Sequence, residues 1–304
     1  MTSPPGPGFR SRRAIALIAS LAVLSAAVLA SFLLRERARS TSEAAPSSTP
    51  STPVSDEAPA SATARCAAEK EGPLRQDTQF TANDAARTTV RYSISLPDDY
   101  YSACKEYPVL YALHGKTGNN VAFLDDALSM RKAMAAGVLD QAIIVTPDSY
   151  STGRWENRET GPAEDNFIKY LIPHIEQDYR VKPGPSYRLL TGFSMGGHGA
   201  MRFGLKYPDM FAAVWSVDGA MADSASYLPF VEGRSSADFH IISVGGQLNG
   251  ARVQALVDAL KAQGIDIPYV YQDREHKFVA FVEEDEKAGW VAMKYLQDNL
   301  GRSM

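Results

Sequence analysis

The chain has 304 residues, 45% of them hydrophobic, which is enough to bury one large core or two small ones. A formal net charge of −4 leaves no basic footprint for nucleic acid, and that class of partner is set aside. Only two cysteines, Cys66 and Cys104, occur in the chain.

The N-terminus differs in kind from the rest of the chain. Arg10, Arg12 and Arg13 precede an uncharged run from Ala14 to Leu34, and Arg35, Arg37 and Arg39 come after it. At 1.5 Å rise per residue such a run spans a hydrocarbon core of roughly 30 Å. It is longer than the roughly 7–15 residues usual in a cleavable signal peptide. Residues 1–39 therefore read as a membrane anchor, with an export signal cleaved near Ala26 or Ala30 as the alternative. The basic flanks balance, so charge alone does not orient the segment. Residues 40–65 are rich in Ser, Thr, Pro and Ala, too polar to bury a core, and read as a disordered linker. An anchor followed by a stalk implies a domain outside the cytoplasm, periplasmic or at the cell surface, anchored or secreted. Cys66 and Cys104 then either pair, as an oxidising compartment allows, or stay as two thiols.

From residue 66 to 304 strands alternate with helices. Thr89–Leu96 alternates apolar and polar residues, as a half-exposed strand near a sheet edge does. Tyr107–Leu113 and Ala142–Thr146 are nearly all apolar, as central parallel strands are. Glu164–Tyr179 is predicted to be a helix, and Tyr187–Leu190 a strand leading into Gly192-Phe193-Ser194-Met195-Gly196. Strands are predicted at Phe211–Val217, Phe239–Val244 and Tyr269–Tyr271. Helices are predicted at Ala251–Gln263, with Val253, Leu256, Val257 and Leu260 on one face, and near the C-terminus around Val291 and Leu296. The pattern predicts a mainly parallel sheet with helices on both faces. The short segment between Asp218 and Phe239 leaves little or no chain for a cap.

A Gly-x-Ser-x-Gly sequence between a strand and a helix is the pattern of a nucleophile elbow, which makes Ser194 the candidate nucleophile. A serine needs a base to take its proton, and histidine suits best at neutral pH. Five histidines are present. His114 precedes a glycine turn, His174 lies inside a helix, His198 comes after Ser194 on the same helix and His240 belongs to a core strand. His276 alone lies beyond the last strand, where a Ser…acid…His order puts the base. The oxyanion donors expected are the amide of Met195, next to the nucleophile, and that of Lys116, in the loop after the third strand. Trp155, in a charged loop with Glu156 and Arg158, is a candidate for lining the substrate site.

Taken together, Tyr107-Pro-Val-Leu-Tyr-Ala-Leu-His-Gly115, Leu171-Ile-Pro-His-Ile-Glu176, Gly192-Phe-Ser-Met-Gly-Gly-His-Gly199 and Tyr207-Pro-Asp-Met-Phe-Ala-Ala213 resemble the esterase D-type family of α/β-hydrolases. That family includes S-formylglutathione hydrolases, feruloyl and acetyl-xylan esterases, and mycolyltransferases. The resemblance spans roughly residues 85 to 300. It implies the α/β-hydrolase fold and cleavage or transfer of an acyl group from an ester or thioester through an acyl-serine. It implies no metal and no organic cofactor.

One departure stands out. In the family an aspartate usually sits in a Gly-x-x-Asp turn after the strand that here ends at Val244, and this chain has Gly246-Gln247-Leu248-Asn249. Asn249 can orient an imidazole but adds no charge to stabilise imidazolium. Asp218, after the neighbouring strand, is the other candidate. A third reading has no functional acid at all, and with it a weakened enzyme or a binding protein on the same fold.

Overall fold

The computed structural model describes residues 72–150 and 154–302. The expected anchor, the linker and Cys66 lie outside the described residues. Cys104 is disulfide-bonded. Among the described residues no helix is long and apolar enough to cross a membrane.

Ten strands form among the described residues: β1 Arg75–Thr81, β2 Thr89–Ser95, β3 Val109–Leu113, β4 Ile143–Pro147, β5 Asn157–Arg158, β6 Gly161–Pro162, β7 Arg188–Phe193, β8 Ala213–Val217, β9 Ile241–Gly245 and β10 Tyr269–Tyr271. Eight of them make one sheet in the order β1-β2-β4-β3-β7-β8-β9-β10, while β5 and β6 pair separately. From β4 to β10 every neighbour pair in that sheet is parallel; β2 runs antiparallel to both β1 and β4. The fold class is the one expected, a mostly parallel sheet with helices on both faces. β3, β4, β8 and β9 are buried at every position, as strands covered on both faces must be.

Two layers of helices enclose the sheet. Helices α1 Asn120–Ala127, α2 Arg131–Ala135, α6 Phe278–Lys287 and α7 Val291–Asn299 cover one face, through residues such as Phe123, Leu124, Met134, Phe281 and Leu296. The other face carries α3 Ile172–Asp178, α4 Met195–Lys206 and α5 Gly250–Ala262, through Ile175, Phe203, Val253 and Leu260. The expected helix over 164–179 is interrupted: a π-helical stretch, Asn166–Leu171, precedes α3.

Two elements have no strong signal in the sequence. β1 is a polar edge strand whose residues are all exposed or half-buried, held by its register on β2. α6 begins directly after the His276 loop. The segment from Asp218 to Phe239 holds only short 3₁₀ turns at Ser224–Ser226, Leu228–Phe230 and Ser236–Asp238, so among the described residues no cap domain covers the strand ends here. Loops after β3, β7, β8, β9 and β10 gather at the carboxyl edge of the parallel strands, the edge at which open α/β sheets bind ligands.

Candidate active site

Ser194 joins β7 to α4 with φ 57° and ψ −113°, a conformation that costs a non-glycine residue of order 1–3 kcal/mol. Its flanking glycines explain how the turn closes. A Cβ on Gly192 would lie 2.1 Å from the Gly196 carbonyl oxygen, and one on Gly196 would lie 1.9 Å from the Leu113 carbonyl oxygen. No side chain fits either position, and the backbone of β3 is pressed against the first turn of α4. The serine is thereby half-exposed at the N-terminus of a helix whose first amides have no intrahelical acceptor.

His276 sits between β10 and α6 and is brought to the serine's side by packing. Its ring lies over Phe193, the residue before Ser194, with centroids 4.4 Å apart. The loop is tied to the end of β9 as well: the Gln247 amide donates to Arg274 O at 3.2 Å, and Gln247 Nε2 donates to Asp273 at 3.0 Å. Imidazole Nδ1 meets Asp218 Oδ2 at 2.5 Å. Among the described residues Ser194 Oγ and His276 share no hydrogen bond, and such bonds often tighten only when substrate binds.

Asp218 comes directly after β8, with φ 40°, and is fully buried. Such a carboxylate must be bonded throughout, and it is. Its Oδ1 accepts from the Gly246 amide at 2.9 Å and the Asn249 amide at 3.1 Å, leaving Oδ2 for the imidazole. The Asn249 side chain does not reach the ring. Its Nδ2 donates to the Asp218 carbonyl oxygen at 2.9 Å. The two residues weighed for one position are thus both present in one assembly. The carboxylate faces His276, and the asparagine holds the carboxylate's main chain. Asp273 and Glu275, nearer in sequence, bond instead to Gln247 and Lys277.

Lys116 and Met195, the expected oxyanion donors, share a cavity of about 480 Å³ with Ser194. His114 is buried and orders the Lys116 loop. Its Nε2 accepts the Ser149 amide at 3.1 Å, so the proton resides on Nδ1, which donates to Gly115 O at 2.8 Å. Gly118 N donates to the same carbonyl at 3.1 Å. With that carbonyl held on one side of a planar trans peptide, the Lys116 N–H points to the other.

Trp155 departs from expectation. It is fully buried, its indole donates to His114 O at 3.2 Å, and it does not line the cavity. Gly199 makes room for it: a Cβ there would lie 2.8 Å from three Trp155 atoms. The large apolar ring is a prop beneath the loops, while Arg154 and Arg158 on either side of it reach the cavity. Leu248 also lines it and is 64% exposed. Sequence reasoning passed over Arg154 and Leu248, although the charged loop around Trp155 was a signal for the former.

A second imidazole–carboxylate pair has its imidazole on α4 itself. His198 is buried, with Nε2 3.3 Å from Glu156 Oε1 and Nδ1 bonded to the Tyr227 hydroxyl. Burial pushes the His198 pKa down, so the ring is neutral and donates to Glu156. That bond, with Arg158 beside it, holds Glu156 down at about 2.

A mostly parallel sheet with a serine on a strained strand–helix turn, a carboxylate after the next strand and a histidine after the last one is the arrangement of the α/β-hydrolase fold. Comparison with known proteins gives the family. Residues 84–258 match the model of the esterase family described as "Putative esterase", and the chain belongs to that family. The matched span ends before His276. Esterase Rv1288 of Mycobacterium tuberculosis is 36% identical over 132 residues, 42% of this chain and 28% of that protein, so the match takes in less than a third of the relative's length. Among solved structures, a ferulic acid esterase superposes with a TM-score of 0.63 at 21% identity, over 74% of this chain and 98% of its own. An S-formylglutathione hydrolase from Agrobacterium tumefaciens gives 0.56 at 17% identity, over 77% and 99%. These two likenesses are of fold.

Proposed function

We propose that the protein is a serine esterase that cleaves, or transfers the acyl group of, a carboxylic ester or thioester through an acyl-serine intermediate. The observation that carries this is the bond from His276 Nδ1 to a buried, fully bonded Asp218 carboxylate, with the imidazole packed at a tilt on the residue next to Ser194. Asp218 fixes the tautomer with the proton on Nδ1, leaving Nε2 to take the Ser194 proton as Oγ attacks the acyl carbon. The tetrahedral oxyanion is received by the amides of Met195 and Lys116 together with the field of the α4 N-terminus. The imidazolium then protonates the leaving alkoxide or thiolate. Water, or another hydroxyl, deprotonated by His276 in turn, releases the acyl group.

The weakened-enzyme reading rested on Asn249 standing where the carboxylate usually does. With Asp218 on the imidazole that reason is gone. The uncharged run from Ala14 to Leu34, the polar linker and the disulfide-bonded Cys104 support a further part of the proposal, that the domain acts outside the cytoplasm tethered by its N-terminal segment.

Turnover of 4-nitrophenyl acetate by the full-length chain tests the activity. Hydrolysis by wild type and none by Ser194→Ala is expected; equal rates in both would overturn it. Membrane fractionation tests the tether: deletion of residues 14–34 should release the protein from the pellet.

A further inference from the structure

The cavity at Ser194 has an electrostatic character that the chain as a whole lacks. Although the formal net charge is −4, the charged residues lining the cavity are all basic: Lys116, Arg154 and Arg158. Arg158 is compensated by Glu156 at 2.8 Å. Lys116 and Arg154 have no ion-pair partner among the described residues, and Arg154 lines the cavity half-buried. Holding an arginine there without a counter-ion costs solvation, and an anion entering the cavity would recover it. The α4 N-terminus adds positive potential at the same end. Resting on the esterase reading above, we infer that the preferred substrates are esters or thioesters bearing an anionic group, a carboxylate or phosphate, which Arg154 and Lys116 bind.

The chemistry fits the site. A cation pair that receives a remote anion orients the ester while leaving the oxyanion donors free, so the gain appears chiefly in KM. Exposed Leu248 on the cavity wall gives an apolar surface against which the uncharged part of the same molecule can lie. The anion can belong to the acyl half or to the leaving half, and two matched pairs of substrates distinguish these.

The experiment compares kcat/KM of the full-length protein for 3-acetoxybenzoate and for its neutral isostere 3-acetoxybenzamide. The same comparison is made for phenyl hydrogen glutarate and phenyl glutaramate. A charge-assisted contact predicts a preference of about tenfold for the anion in at least one pair at low salt. That preference should collapse toward unity in 0.5 M salt (roughly, a Debye length of a few Å) and in Arg154→Gln, and invert in Arg154→Glu. Lys116→Gln, which keeps the amide, should lower the ratio further when combined with Arg154→Gln. No preference in either pair, or a preference untouched by both substitutions and by salt, would overturn the inference. Because every readout is a ratio, a failure here is distinct from failure of the esterase reading, which would show as no Ser194-dependent hydrolysis of the neutral esters.

Discussion

Two histidine–carboxylate pairs, one with its imidazole after β10 and one with its imidazole on α4, are built in opposite senses. In His276–Asp218 the carboxylate is fully buried and the imidazole is a quarter exposed. In His198–Glu156 the imidazole is buried and the carboxylate is a quarter exposed. The first arrangement hides the charge and presents the ring, and Nε2 has no hydrogen-bond partner among the described residues. The second uses both ring nitrogens, one on Tyr227 and one on Glu156, leaving none for chemistry. Both pairs join an imidazole to a carboxylate, through Nδ1 in the first and Nε2 in the second; what differs most is which member is exposed. In the proposed mechanism that difference separates the pair that serves Ser194 from one that braces the loop carrying Arg154 and Arg158.

The comparison can be broken by removing each pair in turn. His276→Ala should lower kcat by on the order of 10⁶-fold, as loss of the base does in a serine protease, with the melting temperature little changed. Asp218→Asn should cost about 10⁴-fold, since the asparagine can hold the wrong tautomer and supplies no charge. Asn249→Ala should cost no more than about tenfold, because it removes a bond to the Asp218 main chain and not one to the ring. Steady-state kinetics on the three variants ranks them; an Asn249 effect larger than the Asp218 effect would reverse the roles assigned above. His198→Phe should move stability instead, by roughly 1–3 kcal/mol in chemical denaturation, because Glu156 and Tyr227 lose a buried partner. Its kcat should stay within about tenfold of wild type.

Acid sharpens the same contrast. Glu156 has a folded pKa of about 2, below its ordinary value of 4.5, so its contribution is complete above pH 4.5 and is lost as pH falls toward 2. His198, whose folded pKa is lowered by burial, binds its proton more readily when unfolded, so it too removes stability as pH falls below 6.5. Melting temperatures from pH 7 to pH 3 should therefore fall, and Glu156→Gln should flatten the lower part of that slope. An unchanged slope would mean that the second pair does not brace the fold.

Much of this was legible in the sequence because strong local rules coincide there. The apolar runs of β3, β4, β8 and β9, the helical spacing of Val253, Leu256, Val257 and Leu260, and the glycines around Ser194 each admit few alternatives. What escaped depends on contacts far apart in the chain. β1 is polar and exists through its pairing with β2. Trp155 looked available to substrate because nothing local shows that Gly199, more than forty residues on, leaves a slot for its ring. The acid was ambiguous for a related reason. Asp218 and Asn249 lie in the loops that follow adjacent parallel strands, and only the three-dimensional edge shows one accepting from the other's amide while reaching His276 with its free oxygen.

The central claim, that Ser194 is an activated nucleophile, is tested most directly by intact-mass analysis after reaction with a fluorophosphonate. A single stoichiometric adduct is expected on the wild-type chain, mapped to the peptide containing Ser194, with much slower labelling of Asp218→Asn and none of Ser194→Ala. An unlabelled wild type, or an adduct that persists in Ser194→Ala, would contradict it.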